Sequence, residues 1–336
     1  MSGGVRYAED APDGPGRNAV LPREMGWRAW WQVLKRFGAS FLDDHLSLVA
    51  AGVAYWSLLA LYPALVLFVS LYGLFADSAT AADQAIALAG VLPDDAADFV
   101  YEEMTRIAAA SGGSLSVSAL VSVSLTLWGS NRCMKAVFEA LNVAYRERET
   151  RNLVWINVLG LMFTLGFILF GVVSVVLVVA VPPALEALRL GGAFETALSL
   201  ARWPILFGGM FVGTTLLYTF GPDRNAPRFA WVSWGSLLAG LLWLAASGLI
   251  SWYAASFADF NKTYGSLGAV VVLQTWIWLT ALVVITGAKL NAEAEHQTAV
   301  DTTRGRPKPM GQRGAHVADT LPKDGRPDPV MGRERD

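Results

Sequence analysis

The sequence predicts an all-α integral membrane protein: six transmembrane helices, an N-terminal interfacial amphipathic helix, and short helices in the first outer loop. Three observations carry this. Of the 336 residues, 54% are hydrophobic and only 16% are charged, against about 25% charged in a soluble domain. The charges sit in a few blocks and leave long stretches without any, as in a polytopic membrane protein. Six apolar runs follow one another, and about 20 residues suffice to cross ~30 Å of hydrocarbon.

Residues 1–25 are rich in Gly, Pro and charge and are expected to be disordered. In the next stretch Trp27, Trp30, Trp31, Leu34, Phe37 and Phe41 recur at three- and four-residue steps, with Arg28, Gln32, Lys35 and Arg36 mostly on the other side. This run is too charged to span, so an amphipathic helix lying in the interface is expected. The membrane domain covers 26–297, with spans at about 46–75, 114–128, 153–181, 198–220, 231–257 and 267–290. The first is ~45 Å long as straight helix at ~1.5 Å per residue. Pro63 near its middle supplies a bend, or a hinge, by removing one backbone donor.

The second run, SLSVSALVSVSLTLW, alternates like a strand. A lone strand would leave its backbone groups unpaired in hydrocarbon. Helix is therefore expected, extending through GSNRCMKAVFEALNVAY on the water side. With the N-terminus placed in the cytoplasm, 22 of the 26 Lys and Arg fall on that side. The other four are Arg106, Arg189, Arg202 and Lys262. This bias places both termini inside. The outer loop 76–113 carries seven acids and one Arg, and Pro93 opens the second of its two expected short helices. Trp128, Trp155, Trp203, Trp231 and Trp252 fall near span ends, as an aromatic belt requires. The tail 298–336, rich in Pro, Gly and charge, is expected to be disordered in the cytoplasm.

A net charge of −2 with no basic cluster gives no reason to expect nucleic acid as a partner. The single cysteine, Cys133, excludes an internal disulfide and a Cys-based zinc site. No early apolar core marks a cleaved signal peptide.

Three stretches carry a family resemblance: LSLVAAGVAYWSLLALYPALV in the first span, ALNVAYRERETR after the second, and YGSLGAVVVLQTWIWLTALVVITGAKLNAEAEH at the last. Over about residues 30–297 the chain resembles the YihY/virulence factor BrkB family of bacterial inner-membrane proteins, once labelled ribonuclease BN. The resemblance implies a six-helix membrane protein with cytoplasmic termini, linked to the cell envelope. Some members have been connected with serum resistance and others with export of lipid-type envelope components. No catalytic residues carry over.

Several residues are candidates for chemistry or for a pathway. Ser114, Ser118, Ser122, Thr126 and Ser130 stand four apart and form one slowly spiralling line. Their hydroxyls either bond carbonyls four residues back or wall a polar cavity, with Ser118, Ser122 and Thr126 its core. Gln274, mid-span in the last run, cannot face lipid without a penalty of a few kcal/mol. It is expected to point inward, to a neighbour or a ligand. Gly209 and Gly213 form a G-x-x-x-G close-packing face. No Asp, Glu, Arg or His lies well inside any run, which disfavours an ion-coupled pump.

ITGAKLNAEAEH closes the last run. Lys289 is expected as an interface anchor, its stem in hydrocarbon and its ammonium in water, paired with Glu293 one turn on. A remote alternative is a metal site from Asp43, Asp44 and His45 with Glu293 and His296, although Asp43 or Asp44 is more simply a helix cap. No metal site, cofactor or catalytic group is assigned.

The function expected is non-enzymatic: assisting transport or export of a lipid-like, amphiphilic envelope component. The alternatives are a scaffold that binds envelope partners through the acidic loop or the tails, and a membrane-tethered ribonuclease, which the missing acid–base pair and basic groove disfavour. The partners expected are membrane lipids, with envelope proteins or further copies of the chain.

Overall fold

A long run of apolar residues that must satisfy its own backbone in lipid has helix as its local solution. A computed structural model of the chain describes residues 13–75, 117–175, 177, 192–256 and 266–322. Among them all regular structure is helical, apart from an isolated bridge between Pro227 and Thr303. The α-helices are α1 (Trp27–Asp43), α2 (Leu46–Phe75), α3 (Val117–Tyr145), α4 (Leu153–Val175), α5 (Gly192–Phe220), α6 (Phe229–Ser256), α7 (Ser266–Glu295) and α8 (His316–Asp319).

The expected runs fall on these helices. α2 covers the first from end to end. From Val117 the strand-like second run is helix and continues to Tyr145. α5 begins six residues before its apolar run and carries Pro204 inside it, a helix-interior proline beside the expected one at Pro63. Among the described residues three helical segments are long and apolar enough to cross a membrane: Leu153–Gly171, Phe229–Ile250 and Val270–Glu295. Leu46–Ala60 and Pro204–Phe220 are shorter apolar helices. The loop 76–113, with Pro93, lies outside the described residues.

The chain divides into two units. One comprises Met1–Ala51, Met134–Ala246 and Leu279–Asp336; the other comprises Gly52–Cys133 and Ser247–Trp278. In the first unit, α6 meets α7 backbone to backbone. A Cβ on Gly235 would run into the carbonyl oxygen of Gly287, and one on Gly287 would sit 2.5 Å from the carbonyl oxygen of Gly235. Asn291 uses this closeness. Its Oδ1 accepts from the Gly235 N–H at 2.7 Å and its Nδ2 donates to the Val232 carbonyl at 3.0 Å. A side-chain amide is thus stitched into the α6 backbone. Of the G-x-x-x-G pair in α5, Gly209 lies against the Phe170 ring of α4, whereas Gly213 faces open space.

In the second unit α2 and α3 cross closely. A Cβ on Gly129 would lie 3.1 Å from the Ala60 Cα. Ser57 Oγ and Cys133 Sγ are 3.2 Å apart at the same crossing.

The structure corrects the sequence reading in two places. Residues 13–25 and 298–322, which lie within segments expected to be disordered, are packed. Residues Ala299, Thr302, Thr303, Arg313, Ala315, Val317 and Ala318 of the tail are buried, as are Ala19 and Met25 near the N-terminus. The ends hold each other: the Ala299 N–H donates to the Arg17 carbonyl at 2.8 Å, and the Gln297 side chain to that of Pro15 at 2.6 Å. Low hydropathy misled here because these segments are fixed by hydrogen bonds more than by apolar burial.

The second correction concerns α1. Its buried residues are Ala29, Val33, Arg36 and Ser40, small groups around one cation. Val33 packs with Leu290 and Ala294 of α7, flanked by Trp30 and Phe37. Trp27, Trp31 and Leu34 are exposed. The helix is amphipathic as expected, but Arg36 belongs to its buried side.

Candidate functional site

Charged side chains at the end of an apolar helix must reach water or find partners, because burying a lone charge is very costly. At the end of α7 they find partners. Lys289, Asn291, Glu293, Glu295 and His296 are each at most 2% exposed. Lys289 therefore does not carry its ammonium into water as an interface anchor would. Its Nζ lies 2.6 Å from Asp44 Oδ2 and 3.4 Å from Glu293 Oε1, so the expected pairing with Glu293 is present beside a closer one.

Glu293 is the hub. Oε2 accepts from Arg36 Nε at 3.0 Å; Oε1 accepts from Ser40 Oγ at 3.1 Å and from Arg146 Nη2 at 3.4 Å. Arg36 also donates to the peptide carbonyl of Glu293 at 3.0 Å. That carbonyl is among the last four of α7, which have no donor within the helix. Lys289 likewise donates to the Ala144 carbonyl in the last turn of α3. Arg151 donates to the Phe220 and Gly221 carbonyls that end α5. Three helix C-termini are thus each met by a cation, the sign the helix dipole favours there.

The backbone is strained where it delivers these groups. His45 and Arg146 have φ of 50° and 58°, the only positive values outside glycine among the described residues. A non-glycine residue there costs on the order of 1–3 kcal/mol. His45 turns the chain from α1 into α2 directly after Asp44. Arg146 closes α3 and sends its guanidinium back to Glu293 and Ser40.

A second pairing flanks the first. Arg224 forks onto Glu295 with contacts of 2.5 and 3.0 Å, and both side chains are fully buried. The Arg224 guanidinium lies over the Tyr145 ring, 5.0 Å from its centre. Thr302 of the tail donates to Glu295. Nearby, Glu147 accepts the His316 N–H at 2.7 Å. Burial pushes its carboxyl up to about 7, against the opposing pull of that hydrogen bond and of Arg224. His296 is pushed down to about 3, by burial first and then by Arg146 and Arg36 against Glu293, and stays neutral.

Of the remote metal candidates, Asp44, Glu293 and His296 come into this cluster, while Asp43 and His45 are exposed. Among the described residues no three His, Cys, Asp or Glu gather as a metal would need. Asp44 and Glu293 face Lys289, Arg36 and Arg146 instead, and His296 Nε2 lies 3.1 Å from Thr320 Oγ1. Paired carboxylates of this kind serve as acceptors and hold helices.

The pathway candidates lie elsewhere. Gln274 sits in α7 within the second unit, and its buried Oε1 has no hydrogen-bond donor among the described residues. The backbones of Ser118, Ser122 and Thr126 lie in α3 and that of Pro63 in α2; their side chains are outside the described part. Where helix hydroxyls are described, many bond the carbonyl four residues back, as Ser57, Thr164, Ser174 and Thr275 do. Sequence reasoning missed Arg36, Ser40, Arg146, Arg224 and Glu295. For Arg36 and Ser40 a signal was present, the small-residue spacing of Ala29, Val33 and Ser40.

Comparison with known proteins matches residues 37–312 to the family described as Virulence factor BrkB. The chain is 27% identical to the ribonuclease-like protein YfkH of Bacillus subtilis, over 72% of this chain and 88% of that one. It is 26% identical to the UPF0761 membrane protein IL2447 of Idiomarina loihiensis, over 81% and 95%. It is 30% identical to a UPF0761 membrane protein of Alkalilimnicola ehrlichii, over 81% of this chain and 61% of that one. No solved structure matches it.

Proposed function

The chain belongs to the virulence factor BrkB family of membrane proteins, and on that premise we propose that it is a non-enzymatic, multi-pass protein of the bacterial inner membrane that helps a lipid-like amphiphile of the envelope to cross. In this reading six helices span, both termini are cytoplasmic, and the amphiphile's polar part passes Gln274 and the hydroxyls of Ser118, Ser122 and Thr126.

The observation that carries it is Gln274. Among the described residues its side-chain carbonyl, buried in an apolar helix, meets no donor. Such a group costs about 1–3 kcal/mol, so its retention points to a polar group it meets in use. A ribonuclease reading, prompted by the name of YfkH, would need carboxylates free to activate water. Asp44, Glu293 and Glu295 are buried against Lys289, Arg36 and Arg224.

The test is reconstitution into liposomes with NBD-labelled phosphatidylethanolamine, measuring dithionite quenching of the inner leaflet. Wild-type protein is expected to speed exposure of the inner-leaflet probe, and Q274L to slow it several-fold. Rates equal to those of protein-free liposomes would overturn the reading.

A further inference from the structure

Among the described residues, buried or half-buried cations such as Arg36, Arg146, Arg151, Arg224 and Lys289 have a carboxylate. Arg132 is different. It is exposed on α3, and neither a salt bridge nor a hydrogen bond engages it among the described residues. It is nevertheless held in place. Its guanidinium carbon lies 5.9 Å from the centre of the Trp56 ring and 5.7 Å from that of Trp128. The two indoles meet edge to face at 6.0 Å and 78°.

The support beneath this trio is firm and lies wholly in the second unit. Gly129 lets α3 approach Ala60 of α2, and Ser57 meets Cys133 beside it. Trp56 and Trp128 are therefore positioned by a helix crossing. Trp128 is 51% exposed, as are the α2 side chains Tyr55 at 55% and Leu59 at 43%.

Chemistry narrows the ligand. A guanidinium stacked on aromatic faces keeps its edge N–H donors free, in a planar fork that fits two phosphate oxygens at once. Arg132 stands directly after the apolar run ending at Trp128, where Trp marks the headgroup level. Tyr55 and Leu59 offer apolar surface that a free anion has no use for, and an acyl chain does. We propose that Trp56, Trp128 and Arg132 form a binding site for the phosphodiester headgroup of an anionic phospholipid, with a chain lying along the exposed side of α2. The site stands independently of the transport reading.

Native mass spectrometry of the full-length protein in detergent tests this, by titrating phosphatidylglycerol against phosphatidylcholine. One phosphatidylglycerol is expected to bind about tenfold more tightly than phosphatidylcholine, and R132Q to lose that tenfold preference. R306Q removes the same charge from another exposed arginine and is expected to change nothing. R132K keeps the charge without the fork and is expected to fall between. If R132Q melts early, R132K and W128L carry the test. Equal phosphatidylglycerol binding by wild type and the Arg132 variants would overturn the site. So would loss of the bound lipid to millimolar inorganic phosphate, which would mark a free-anion site.

Discussion

Arg36 and Glu293 are 257 positions apart, yet Nε of one lies 3.0 Å from Oε2 of the other, out of water. The pair joins α1 to α7 and closes the C-terminus of α7. A buried ion pair adds little net stability relative to apolar groups, but removing one partner strands the other, at about 3–5 kcal/mol. E293Q is expected to lower thermal stability in detergent by that amount. The double variant R36Q/E293Q should lose less than the sum of the single changes, because the stranded charge goes with its partner. Additive losses would show that the two act separately.

The α6–α7 contact depends on the absence of two side chains. G235A places a methyl group against the Gly287 carbonyl and displaces Asn291. Overpacking of this kind costs about 1–3 kcal/mol. G213A, with open space around it, is expected to stay within about 0.5 kcal/mol of wild type. Melting curves of the two variants side by side check this, and equal melting temperatures would refute it.

Glu147 gives the C-terminal segment a pH dependence. Its carboxyl titrates at about 7 in the folded protein, above its ordinary 4.5. The stability it contributes is therefore fully present below about pH 4.5 and is lost as pH rises through about 7. Asp223 and Glu295 add to the repulsion of the charged form, and Arg224 opposes it. Hydrogen exchange at residues 311–320 is expected to accelerate from pH 5.5 to pH 8 beyond the intrinsic rise, with E147Q flattening the excess. Exchange that follows only the intrinsic rise in the wild type would count against it.

Arg313 anchors the same segment through carbonyls of Lys308, Ala318 and Ala299. Truncation after Ala299 removes these contacts together with the Thr302–Glu295 bond and is expected to lower melting temperature and yield. Truncation after Pro322 keeps all of them and is expected to be neutral. A similar outcome for both chains, by size-exclusion profile and melting, would contradict the anchoring role.

The helices were legible because their signal is redundant: α2 and α7 each repeat apolar side chains over tens of residues. The continuation of α3 through GSNRCMK followed from a backbone argument that holds whatever the side chains are. The cluster around Glu293 was less legible. Lys289, Glu293 and His296 were singled out by where they stand, yet their partners come from α1 and from the turn after α3, and no local spacing announces Arg146. The packed side of α1 was not announced, because it is made of the small residues Ala29, Val33 and Ser40, which close approach of helices selects. The packing of residues 298–322 was not legible because a segment held by Asp319, Arg313 and backbone carbonyls has the composition of a solvated one.

The mutual grip of the two ends sets an order of events during synthesis. α1 leaves the ribosome first, but the carboxylate that neutralises Arg36 is made some 250 residues later, and the strap that ties Arg17 and Ala19 later still. Until then Arg36 has to wait in water or among headgroups. α1 is thus among the last parts to settle, and a nascent protein halted before Glu293 holds Arg36 without its carboxylate.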